Sequence, residues 1–285
     1  MERAAEVLTR SGLCLEGFID MHIHTAPDVR ERCCDDMEAA RAAKREGLRA
    51  ILIKSHVTST ADRAALAEKY VGGIRVFGGL VLNMQVGGLN PAAVEAALKM
   101  GAKEIWFPTF SAQHQLRQEG KGGGVTIFAE DGTIRPEVYE IVDLIHRANA
   151  ILATGHLSVE ETVALVSLAR ERGVSKIVVT HPEAPFIRMS AELQVALSQK
   201  GVFFERCYVN TTHAVGNPVT IQEIAASIRL VGVGSTILST DFGLASLPHP
   251  VDGLREYLSR LADEGFGDRE LIRMASENPA LLLDI

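Results

Sequence analysis

The stretch Phe18-Ile19-Asp20-Met21-His22-Ile23-His24 decides how this chain is read. It starts as an apolar run and ends in two histidines two residues apart. Side chains on a strand alternate, so His22 and His24 are expected on one face, with Met21 and Ile23 on the other. Two imidazoles at i and i+2 on one face can chelate a single metal ion. The stretch therefore predicts a strand with chemistry at its C-terminal end.

Further apolar runs of strand length follow at residues 50–54, 74–82, 104–107, 150–153, 176–180, 201–205 and 235–240, which makes eight with 18–24. Helical patterns fill the gaps. Residues 36–46 stop at Gly47, and residues 91–100 open with Pro91 and stop at Gly101. Ser158 with Glu161, and Thr220 with Glu223, have capping-box spacing. Val163, Leu165, Val166 and Ala169 form one broad apolar face. Strands alternating with helices imply a parallel sheet, and the Val/Ile/Leu-rich runs suit strands buried on both faces. Eight of them favour a distorted (β/α)8 TIM barrel, an α/β fold, as a single domain over residues 1–285. An open doubly wound sheet would call for Gly-x-Gly-x-x-Gly after the first strand, which is missing. The connection at 108–135 is long and includes Lys121-Gly122-Gly123-Gly124, which reads as a lid or a poorly ordered loop.

The bulk properties agree. The chain has 285 residues, 47% hydrophobic and 23% charged, a globular balance. A barrel of roughly 250 residues fits that length. The net charge of −7 comes without a basic stripe, which argues against nucleic acid or an anionic membrane as partner. A homo-oligomer is compatible with it. No apolar run reaches the ~18 residues of a spanning helix, and acids at Glu2 and Glu6 do not suit a signal peptide. Cys14, Cys33, Cys34 and Cys207 show no Cys-x-x-Cys spacing, so a reduced, cytoplasmic setting is expected.

Active sites of such barrels form at the C-terminal strand ends. There the sequence places His22 and His24 (first strand), His156 (fifth), His181 (sixth) and Asp241 (eighth). This donor set suits Zn²⁺, with Fe²⁺ or Mn²⁺ as alternatives. Taken singly, each is readily a loop residue or a helix cap. It is their joint placement that points to one divalent ion.

These residues, with the closing Glu277-Asn278-Pro279-Ala280-Leu281-Leu282-Leu283, resemble the amidohydrolase superfamily of metal-dependent barrels, nearest its single-metal branch. Binuclear members carry a bridging carboxylated Lys or a Glu at the end of strand four. Here Lys103 and Glu104 lie at the start of that strand, so one metal is expected. Lys54 closes the second strand on the same face as His56. It reads as a substrate anchor, a carboxylated bridge, or an ion-pair partner of Asp20 or Glu205, the first being favoured. Glu205 reads as an orienter of a ligand histidine, a proton shuttle, a contact to substrate, or an ion-pair partner. Arg30, His114, Asn210 and His213 lie in loops able to line the mouth. His146 and His249 read as structural.

The resemblance implies hydrolysis of a small-molecule amide, lactone or cyclic imide by metal-activated water. His22, His24 and His156 or Asp241 would hold the ion, and Asp241 would move the proton. His181 would ligate or polarise the scissile carbonyl. Lys54, Arg30, His56 and Glu205 would bind substrate, including any carboxylate it carries. A non-oxidative decarboxylase is the runner-up. A phosphoesterase and a non-catalytic metal-binding barrel are the remaining readings.

Overall fold

The computed structural model describes residues 13–285. The acidic N-terminus invoked against a signal peptide lies outside the described residues. Eight strands follow one another: β1 (Ile19–His24), β2 (Ala50–Lys54), β3 (Arg75–Val81), β4 (Glu104–Trp106), β5 (Ile151–Ala153), β6 (Ile177–Thr180), β7 (Phe203–Cys207) and β8 (Thr236–Ser239). They form one sheet in sequence order, each pairing in parallel with the next. The helices are α1 (Asp36–Arg45), α2 (Ala61–Val71), α3 (Pro91–Lys99), α4 (Gln113–Gln118), α5 (Pro136–Ala148), α6 (Val159–Glu171), α7 (Ala191–Ser198), α8 (Ile221–Val231), α9 (Pro250–Asp263), α10 (Asp268–Ile272) and α11 (Asn278–Leu283). The expected barrel is what the chain forms.

Local chemistry explains the element ends. Both expected capping boxes are present on α6 and α8, and Asp35 with Glu38 makes a third on α1. His249, expected in a turn, caps α9 by accepting from the Val251 amide. The barrel closes between β8 and β1 through residues just past β8. Asp241 N donates to His22 O at 2.7 Å, and His24 N donates to Phe242 O at 2.8 Å. Below them, the buried Asp20 carboxylate accepts from Thr240 Oγ1 (2.6 Å) and Thr240 N (3.1 Å). Asp20 thus pins the seam and is not a partner of Lys54.

Three apolar layers result. Ile19, Met21, Leu52, Trp106, Ile151 and Val178 pack inside the barrel. Two outer clusters lie between strands and helices. The inner cluster also takes in Ala280, Leu282 and Leu283, so α11 plugs the end of the barrel opposite the histidines.

Four expectations need correcting. Met21 and Ile23 do not share a face: Met21 points into the barrel and Ile23 outward. The cause is a bulge, since Asp20 pairs with Ile51 but Ile23 with Ile53. That extra residue lets both histidines face inward. The seventh strand runs past Glu205 to Cys207, because Arg206 is buried beside Glu183 and Gln194 instead of marking a solvated end. Its expected start, Gly201, is a positive-φ turn residue after α7. The 108–135 connection is not unstructured. It contains α4 and two isolated bridges, Ala112 to Val125 and Phe128 to Ile134. Finally, Glu104 is fully buried with His22, Lys54 and Glu205 as electrostatic neighbours. It opens β4 as expected, but its side chain is enclosed in the barrel instead of standing apart from the buried charged groups.

Candidate active site

The strand ends bring the expected side chains together. Asp241 Oδ1 lies 3.0 Å from His22 Nε2 and 2.9 Å from His24 Nε2, and its Oδ2 lies 3.3 Å from His181 Nε2. His156 joins them, its ring centroid 5.3 Å from that of His181. Backbone strain helps to aim two of the five. His181 and Asp241 both have φ of 55°, the left-handed region that residues with a Cβ avoid. Each costs of order 1–3 kcal/mol, tolerated where the surroundings fix it. Gly155 supplies the same conformation before His156 with no Cβ to accommodate.

Beneath this ring lie groups that hold it. His22 Nδ1 is 3.1 Å from Glu205 Oε2, and Glu205 Oε1 accepts from Ser239 at 2.9 Å. Lys54 Nζ is 3.1 Å from His22 Nε2 and sits 5.1 Å over the Trp106 ring. Lys54 and Glu205, expected to contact substrate, are both buried, and neither is among the residues that line the cleft. Arg30 and His56 do line the cleft, a cavity of about 130 Å³ with Phe110, Phe186 and Asn210 among its walls. His56 stacks on His24 (4.6 Å), and the Arg30 guanidinium lies 4.2 Å over Phe110. Asn210 Nδ2 lies 3.3 Å from His181 Nδ1. His114 holds the long connection against the Phe186 carbonyl instead of facing the cleft. His213 is exposed, and His146 bonds Gly173 O on the outer surface.

The sequence pattern does not single out Cys207. It is buried at the end of β7, its Sγ 3.6 Å from His22 Nδ1. One ligand atom from each of His22, His181, Cys207 and Asp241 lies within 4.8 Å of the others. As a lone thiol it has no spacing partner; only closure of the barrel brings it to the histidines.

The electrostatics keep most imidazoles neutral. Burial lowers His24 to about 3 and His181 to about 4, and takes His156 and His56 well below the usual value. Burial also works on His22, but the Asp241 and Glu205 carboxylates outweigh it and raise His22 to about 9. The Asp241 carboxyl is held well below the usual range: burial raises it, and His22 and His24 more than reverse that. Burial pushes the Cys207 thiol well up.

The donor set passes a test of fit for a divalent ion. Among the described residues, both ring nitrogens of His156 and Nδ1 of His24 are buried without any hydrogen-bond partner. An orphaned buried polar atom costs about 1–3 kcal/mol, a cost a bound cation would remove. Neutral imidazoles beside a carboxylate are the ligand types Zn²⁺ takes.

Residues 17–205 match the model of a family described as a family of unknown function, DUF6282. The chain belongs to DUF6282. Among curated proteins none matches the sequence. Among solved structures, an amidohydrolase from Pseudomonas aeruginosa is similar at 15% identity, covering 94% of this chain and 95% of its own, with a TM-score of 0.61. A mutant organophosphorus hydrolase from Deinococcus radiodurans is similar at 14% identity, covering 95% and 94%, with a TM-score of 0.60. A probable dipeptidase, PvdM, from Pseudomonas aeruginosa is similar at 10% identity, covering 93% and 94%, with a TM-score of 0.63. This DUF6282 chain thus shares its fold, a parallel eight-stranded barrel, with these solved structures. No helix among its described residues is long and apolar enough to cross a membrane.

Proposed function

We propose that this DUF6282 protein is a metal-dependent hydrolase of small amides, lactones or cyclic imides, with a single divalent ion, Zn²⁺ before Fe²⁺ or Mn²⁺. One observation carries the reading. Four imidazoles and a carboxylate, from four separate strand ends, converge at the mouth of a barrel, and the nitrogens of His156 lack any other partner among the described residues. The solved proteins of the same fold named above as amidohydrolase, organophosphorus hydrolase and dipeptidase agree with it.

His22, His24, His156 and Asp241 would hold the ion. A divalent ion there supplies Lewis acidity and lowers the pKa of a neighbouring water from 15.7 toward about 7. His22 is placed for the role: with Nδ1 donating to Glu205, its Nε2, which faces Asp241, would give up its proton to hold the ion. His181 suits the other expected task. With Asn210 donating to Nδ1, the neutral ring carries its proton on Nε2, which faces Asp241 and the cleft. That N–H would donate to a developing oxyanion. Asp241, ionised at neutral pH, would accept a proton from water and pass it to the leaving group. Arg30, exposed above Phe110, would meet a carboxylate on a small substrate, and the cavity of about 130 Å³ limits that substrate's size. Four free cysteines fit a reduced, cytoplasmic setting.

Elemental analysis of purified protein beside His22→Ala and Asp241→Asn tests the reading. We expect bound metal in the parent, loss of metal from His22→Ala, and a folded, inactive Asp241→Asn. Solvent ¹⁸O should enter the product. Release of CO₂ without ¹⁸O would instead identify a decarboxylase. A parent protein free of metal, or one whose activity survives both substitutions, would overturn the assignment.

A further inference from the structure

We propose that Lys54 is an internal cation: its ammonium occupies His22 in the metal-free site, and binding of a divalent ion sends it to the buried carboxyl of Glu104. The proposal rests on the metal-site reading above and concerns how that site is loaded.

Lys54 is fully buried, and its Nζ stands 3.1 Å from His22 Nε2, the nitrogen that also faces Asp241. An ammonium this close to Nε2 repels a metal ion at the same nitrogen, so the two exclude one another. A Lys with no solvent needs a counter-charge wherever it moves. The barrel holds an acid in reserve, one that burial keeps protonated and that would release its proton to solvent as the ammonium arrives. Glu104 is completely buried, both of its oxygens lack a partner among the described residues, and Lys54 is among its electrostatic neighbours. An unpartnered carboxyl in an apolar interior is costly and calls for a second state in which it is used.

The surroundings favour an ammonium over a carboxylated lysine. Carboxylation would turn the buried cation beside His22 into an anion. It would then face the Glu205 carboxylate from β7 and the Glu104 carboxyl from β4, with only His22 on β1 to offset them. Lys54 Nζ also lies over the face of Trp106, which attracts a cation and repels an anion.

The test uses the full chain, with Zn²⁺ affinity measured by competition with a chromogenic chelator, thermal melting of the metal-free protein, and intact mass. Lys54→Met should lower the melting temperature of the metal-free protein and tighten Zn²⁺ roughly tenfold or more, because no ammonium has to be displaced. Glu104→Gln should weaken Zn²⁺, because the displaced ammonium loses its ionisable partner. Equal or weaker Zn²⁺ binding by Lys54→Met, an undiminished melting temperature, or a parent mass carrying one CO₂ on Lys54 would each overturn the proposal. Should Lys54→Met fail to fold, Glu104→Gln decides alone: weaker binding supports the proposal, and unchanged or tighter binding overturns it. A parent protein that takes up no Zn²⁺ would sink the metal-site reading itself. A parent that binds Zn²⁺ with neither variant altered sinks only the Lys54 proposal.

Discussion

At the scale of single residues, the site depends on which nitrogen of each imidazole is left free. Glu205 fixes that choice for His22. Glu205→Gln keeps the shape but no longer favours a proton on Nδ1. Metal affinity should fall by roughly 10–100-fold with little loss of folding stability, measured by chelator competition beside melting curves. Acid should act on the metal-free protein through the same groups. His24, His56, His156 and His181 resist protonation when folded, so between about pH 6.5 and 4.5 the unfolded chain takes up their protons first. Asp20, raised to about 7 by burial, and Glu104 work in the opposite direction, but they are two against four. The raised value of His22 adds stability below pH 6.5 that is lost only as pH climbs past about 9. The net expectation is that stability falls as pH drops from 6.5 to 4.5. Urea unfolding of metal-free protein across that interval measures it, and a flat or rising midpoint would contradict these charge states.

At the scale of elements, turns do as much as strands. Gly155 takes φ of 60° between β5 and His156, and a Cβ there would run into the Phe107 and Pro108 carbonyls. Gly155→Ala should destabilise the fold by several kcal/mol and displace His156. Gly132→Ala, at φ of 82° with open space around it, should cost only about 1–2 kcal/mol. Thermal melting of the pair separates crowding from backbone strain. The same contrast explains what is legible in the sequence. Period-two alternation and apolar runs locate every strand to within a residue or two, and four imidazoles at strand ends stand out because each interrupts an apolar pattern. The bulge in β1 is invisible there, because it depends on how β2 pairs alongside. So is the depth of Glu104, Lys54 and Arg206. A charged residue at the edge of an apolar run looks solvated until the partners that bury it, such as Glu183 for Arg206, are brought in by distant segments. Cys207 is hidden for the same reason.

At the scale of the whole molecule, the barrel is sealed by α11. Leu282 and Leu283 are almost wholly buried among inward-facing strand residues, and Lys176 Nζ holds Asp284 at 2.5 Å beside them. Leu283→Ala should lower unfolding free energy by about 2–5 kcal/mol while leaving Zn²⁺ affinity of the folded protein unchanged, read from denaturant curves and chelator titration. Residues 280–283 also follow all eight strands in the sequence. A sheet already curled but lacking this stopper would admit water from below, and water would dampen every charge effect between Glu104, Lys54 and His22. The helix that closes the barrel's lower end is therefore what gives the histidine cluster, at the far end of the molecule, its dry and strongly interacting interior.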